Sequence, residues 1–91
     1  MTLEEARAEI AAIDREMAAL FERRMAAAEP IADWKREHGL PVLDEAQEAR
    51  VIARGAAQIK NPAIRALYPD FQRGVMRLSR EYQRQRMEER G

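Results

Sequence analysis

The chain has no cysteine and a single histidine, His38. Disulfides and thiolate chemistry are therefore excluded, and a transition-metal centre has too few ligands to assemble. Aromatic residues make up only 5% of the 91 positions, and glycine and proline number four each. That scarcity, set against 46% hydrophobic residues, is the profile of an all-helical protein. No apolar run approaches bilayer length, and the N-terminus lacks a basic-then-apolar signal pattern, so the expectation is a soluble cytoplasmic protein. There is no net charge to attract a polyanion, since sixteen basic residues cancel sixteen acidic ones. With so few aromatics as well, nucleic-acid binding is not expected. No glycine-rich phosphate loop is present, and no Ser/His/Asp set can be assembled. The length predicts one small domain over 1–91, without internal repeat or linker.

What the chain does have is a long amphipathic helix with two cations out of place. From Leu3 the apolar stripe runs through Ala6, Ile10, Ile13, Met17, Leu20, Phe21, Ala28 and Ile31 at steps of three and four. Continued at that spacing it passes through Arg24 and Lys35, roughly in line with Met17 at ~100° per residue. Burying unpaired charge is costly, so such cations either pair with acids, Asp14 and Glu48 being candidates, or await an anionic ligand. Fourteen of the sixteen basic residues are arginine, which forks onto carboxylates as lysine cannot. A GC-rich codon bias explains that excess equally well.

Helix 1 opens with the capping box Thr2…Glu5 and is predicted to run to about His38, where Gly39 and Pro41 stop it. At 1.5 Å per residue it is ~54 Å long, far beyond the ~12 Å radius of gyration of a compact chain this size. Its stripe would be left uncovered, so an obligate homodimer is expected. Pro30 predicts a kink near 26–30 rather than a break, because the stripe continues in phase. Asp44 caps helix 2, about 45–59, with Gln47 at the capping-box position and Val51, Ile52 and Ala56 buried. Asn61 and Pro62 open helix 3, about 62–88, with a break possible at Pro69. Its predicted buried stripe is Ile64, Leu67, Tyr68, Phe71, Val75, Leu78 and Tyr82. His38 reads as a helix-end dipole partner and Trp34 as a packing or dimer-contact residue.

Four further polar residues flank these stripes: Ser79 and Gln83 at i and i+4 on helix 3, and Asp44 and Glu48 at i and i+4 on helix 2. Each has a bland explanation as a cap, dipole partner or surface residue. Arg7 lies at the edge of the helix 1 stripe, ~25 Å from Arg24 along one helix, but can approach Arg24 and Lys35 of a second, antiparallel copy. Together with Arg7, Arg24 and Lys35, these groups look like a site for a polar dianion.

The run Arg7-x-x-Ile10-x-x-Ile13-Asp14, then Leu20-Phe21-x-Arg23-Arg24-Met25, then Ile31-Ala32-x-x-Lys35 resembles helix 1 of the all-helical (AroQ-class) chorismate mutases. The segments Leu40-Pro41-Val42-Leu43-Asp44-x-x-x-Glu48 and Ser79-Arg80-Glu81-Tyr82-Gln83 resemble the same family, so the likeness covers nearly the whole chain. It implies an all-α, three-helix subunit with one very long N-terminal helix, intertwined as a homodimer with two shared sites. The implied reaction is the Claisen rearrangement of chorismate to prephenate, at the shikimate-pathway branch toward phenylalanine and tyrosine, without metal or cofactor. By the same resemblance, Arg24 and Arg7 of the partner subunit clamp the two carboxylates. Lys35 meets the enolpyruvyl carboxylate and the ether oxygen, and Gln83 donates to that oxygen. Glu48 and the backbone at Asp44 hold the ring hydroxyl, and Ser79 assists at the ring carboxylate. A non-titrating Gln83 implies a broad neutral pH profile, shifted toward acid by Gln83→Glu. Two positions depart from the pattern: Pro30, and Gln47 where many relatives carry an arginine that supports the charge network. Weaker substrate binding is the expected consequence of Gln47, and an altered bend near Arg24 that of Pro30. Two alternatives stay open, an isochorismate-pyruvate lyase on the same fold and a non-catalytic helical dimerisation or regulatory module. A larger shikimate-pathway enzyme as activating partner also stays open.

Overall fold

The computed structural model describes residues 1–90, and these are helical apart from short turns. Helix α1 spans Leu3–Glu37, α2 Glu45–Ala56, α3 Pro62–Arg65 and α4 Tyr68–Arg90. The start of α1 is set locally: the Glu5 amide donates to Thr2 Oγ1 at 3.1 Å, satisfying one orphan first-turn donor. Its end is set by Gly39, whose φ of 63° is open to glycine at no steric cost. There the Leu40 amide reaches back to the Lys35 carbonyl at 2.8 Å and Gly39 to Arg36 at 3.2 Å, the paired bonds of a Schellman stop. Pro30 lies inside α1 without interrupting it. Pro30 and Ala26, the residue whose carbonyl loses its donor, are both exposed, so the missing bond falls on the solvent side.

One boundary differs from the sequence expectation. Helix α2 closes at Ala56, not 59, because Gln58 and Ile59 bond back to Gly55 and Ala56 in tight i→i+3 turns. The break allowed for at Pro69 occurs, at 66–67: the third predicted helix is one turn capped by Asn61, whose Oδ1 accepts from the Ala63 and Ile64 amides, then α4. Pro69 sits in the first turn of α4, where a missing N–H is harmless.

Helix α4 is the hub, packing against both α1 and α2, with α3 folded onto its start. The core is small, comprising Ala28, Ala32, Val42 and Met76. Ala32 is wholly inaccessible, and its lack of bulk lets α1 and α4 approach closely. Gly55 serves the same purpose between α2 and Tyr68, where an added Cβ would lie 2.6 Å from a ring carbon. The face of α4 turned inward is not the expected apolar stripe. Phe71 and Leu78 are exposed, as are Ile64 and Leu67 before them, while Gln72, Met76, Ser79 and Gln83 are buried. Both sets have helical spacing, but only the second, slimmer set fits against the small residues of α1.

The described chain is elongated, 53 × 25 × 14 Å with a radius of gyration of 16.2 Å. Its accessible surface is 7064 Å², against about 5,400 Å² for a compact monomer of this mass. Large apolar side chains are exposed on the N-terminal part of α1, where Ile10 is 56% exposed, Leu20 54%, and Ile13, Met17 and Phe21 are exposed too. No described helix is long and apolar enough to cross a membrane.

Candidate active site

Where α1, α2, α4 and the 40–43 loop converge they line a half-open cavity of about 290 Å³. Helix α1 contributes Arg24 and Lys35 to its wall, α2 and its cap Asp44 and Glu48, and α4 Ser79, Arg80 and Gln83. Six of the seven polar residues singled out in the sequence thus meet in one place. Arg7 does not: it is exposed, near the far end of α1, seventeen residues or ~25 Å from Arg24.

The Schellman stop matters here because it folds the loop back beneath α1. Val42 is buried, and its carbonyl accepts from Lys35 Nζ at 2.7 Å. An ammonium carries three donors, so this bond anchors Lys35 at the cavity while two donors remain for a ligand. Among the described residues no ion pair joins Arg24 or Lys35 to a carboxylate, and the internal pairing considered from the sequence is not formed. Asp14 is exposed, and Glu48 is engaged by Arg80 instead.

Ser79 and Gln83 are only 6% and 8% exposed, so they are not ordinary surface residues. Gln83 Nε2 donates to Ser79 Oγ at 3.1 Å, and Gln83 Oε1 finds no hydrogen-bond partner among the described residues. Turning the amide over would let the Ser79 hydroxyl donate to Oε1 and free the NH₂ group. Either way one polar end of a buried amide is left over, a cost of about 1–3 kcal/mol unless a ligand meets it. Asp44 accepts from the Gln47 amide at 3.0 Å, as a cap should. The other half of the expected capping box is missing, because the Gln47 side chain accepts from Arg50 Nη2 at 2.9 Å.

A polar clamp beside the cavity sets the rotation of α1 against α4. Arg86 forks onto Asp33, both contacts at 3.0 Å, and reaches Glu29 at 3.3 Å; Tyr82 donates to Glu29 at 2.7 Å. Glu29 and Asp33 lie one turn apart on α1, as do Tyr82 and Arg86 on α4, so two rungs tie the helices in one register. The hydrogen bond to Glu29, reinforced by burial and by that carboxylate's charge, holds the Tyr82 phenol above its ordinary value. Asp33, accepting from Arg86, likewise raises the guanidinium. The clamp and Arg80 were both missed in the sequence. The acid pair at i, i+4 on one helix and the Tyr/Arg pair at i, i+4 on another were the available signal.

Three cations and two carboxylates line the cavity, leaving it positive beside a buried amide and a hydroxyl. Such a lining suits a small polyfunctional anion held by its carboxylates and a hydroxyl. Among the described residues no cluster of potential metal ligands occurs. Against known protein families, residues 6–84 match chorismate mutase type II. No curated protein and no solved structure matches the chain.

Proposed function

The chain belongs to the chorismate mutase type II family, and on that premise we propose that it rearranges chorismate to prephenate as an intertwined homodimer serving phenylalanine and tyrosine synthesis. Convergence of Arg24, Lys35, Asp44, Glu48, Ser79 and Gln83 on one cavity carries this reading. Arg24 and Arg7 of the partner subunit grip the two carboxylates of the substrate and fold it into the chair from which it reacts. Lys35, pinned by Val42, and the Gln83 amide donate to the ether oxygen as its bond to carbon breaks and negative charge gathers there. The ring hydroxyl donates to Glu48, with the backbone at Asp44 beside it, and Ser79 steadies the ring carboxylate. The reaction is intramolecular, and none of these steps needs a nucleophile, a proton transfer or a cofactor.

Two observations support the dimer. The accessible surface exceeds that of a compact monomer by about 1,600 Å², well above the ~800 Å² per partner of a standard interface and in the range of obligate ones. Exposed large apolar side chains recur along α1 from Ile10 to Phe21, and Arg7 lies on the same half of that helix.

Chorismate consumption by the purified protein and by Lys35→Ala is the decisive measurement. The wild type should form prephenate, and Lys35→Ala, folded to the same extent, should lose roughly 10²–10³-fold in kcat. A folded wild-type dimer without turnover overturns the assignment. Salicylate and pyruvate from isochorismate, with chorismate untouched, would make it a lyase.

A further inference from the structure

Arg80 has no role in the reading above, yet its side chain forms part of the cavity wall. Its Nη1 lies 2.6 Å from both oxygens of Glu48, an ion pair joining α4 to α2 across 32 residues of sequence. Both side chains are about three-quarters buried. The pair also lines a second groove, on the outer face of α2 and α4 beside Ile52 and Arg73, and so separates the cavity from that groove.

Left alone, a glutamate in the first turn of α2 would sample several rotamers, most of them pointing to water. Held by Arg80 it has one. Two of the roughly four lone-pair sites on its carboxylate are occupied, and the others are free to accept a hydroxyl proton. The neighbouring cation on α2 cannot do this work, because Arg50 is spent on Gln47 and does not line the cavity. Charge points the same way. Arg24, Lys35 and Arg80 against Asp44 and Glu48 give a net single positive charge, and Arg7 of the partner subunit raises it to two, the match for a dicarboxylate. Without Arg80 the site would be one charge short.

We propose that Arg80 is a positioning residue that holds the Glu48 carboxylate as a preformed acceptor for the ring hydroxyl of the substrate and completes the cationic balance of the cavity. This rests on the assignment of the cavity as a chorismate site. The ring hydroxyl takes no part in bond making or breaking, so its contact is made equally in ground and transition states. Losing such a contact raises KM and spares kcat.

Steady-state kinetics with chorismate on wild type, Arg80→Gln, Arg80→Lys, Glu48→Gln and the double variant Glu48→Gln/Arg80→Gln test the proposal, with thermal melts as the check on folding. Arg80→Gln should raise KM roughly tenfold with kcat within about threefold of wild type. Arg80→Lys, which keeps the charge, should recover part of that loss. The double variant should be little worse than Glu48→Gln alone, because the two residues act as one unit. Should Arg80→Gln fail to fold, Arg80→Lys carries the test with a several-fold rise in KM. Wild-type kinetics in Arg80→Gln, a loss confined to kcat, or losses that multiply in the double variant overturn the role of Arg80 while leaving the mutase assignment standing. A wild type that does not turn over chorismate overturns both.

Discussion

The two halves of α1 carry the same apolar spacing and meet different fates. Toward the C-terminus, Ala28 and Ala32 are buried against α4, and Arg24 and Lys35 line a half-open cavity. Toward the N-terminus, Ile10, Ile13, Met17 and Leu20 are exposed, the last two along a groove shared with Phe71 and Val75 of α4. Residue size explains the difference. Alanines let another helix of the same chain come close enough to build a site, whereas a row of branched and long side chains needs a broad partner surface. One half lines the cavity, and the other carries an exposed apolar face and Arg7, the parts that the proposed dimer would use.

Charging the open half should have the largest effect. Ile13→Glu places a carboxylate in the proposed interface, where desolvation is unaffordable, so sedimentation should show monomers and chorismate turnover should fall by roughly a hundredfold or more. A fully active Ile13→Glu dimer would mean that this face is not the interface. Next, the sharing of Arg7 can be separated from its mere presence. Arg7→Ala and Lys35→Ala should each be nearly inactive, but after mixing and subunit exchange the heterodimer holds one site with both residues intact. Recovery of a substantial fraction of wild-type activity is expected; if Arg7 served its own subunit, mixing would restore none.

The packed half can be broken from within. Ala32→Leu forces a large side chain into the α1–α4 contact and should cost about 1–3 kcal/mol in chemical denaturation. The smallest effect concerns the clamp. Because folding raises the phenol above its ordinary value near 10, the Tyr82–Glu29 bond contributes fully below that pH and is lost as pH rises through the raised value. Tyr82→Phe should therefore melt slightly lower than wild type at neutral pH, and the gap should close above about pH 10. A gap that widens with alkalinity would contradict the bond.

Much of this was readable in the sequence, for local reasons. Thr2, Gly39, Asp44 and Asn61 act on backbone groups within a few residues, so the starts of α1, α2 and α3 and the end of α1 follow from them directly. The misplaced cations were readable because a charge on an apolar stripe violates a simple period. The inward face of α4 was not. Phe71 and Leu78 look like a core stripe, and the buried Gln72, Ser79 and Gln83 look like solvated ones, since periodicity reports a face without saying what it meets. Arg80 was hidden for the same reason, one arginine among many, next to Glu81 in a charged stretch.

By itself, then, the sequence determined the helices, their caps, the long α1 whose stripe no chain of this size could cover, and the residue types a dianion site requires. Tertiary structure alone decided which face of α4 turns inward, that Lys35 is pinned by the Val42 carbonyl, and that Glu48 is held by an arginine 32 residues away. The physical reason is range. Caps and periods are settled within one or two turns of backbone, whereas the partner of a buried charge is whichever group packing brings within about 3 Å.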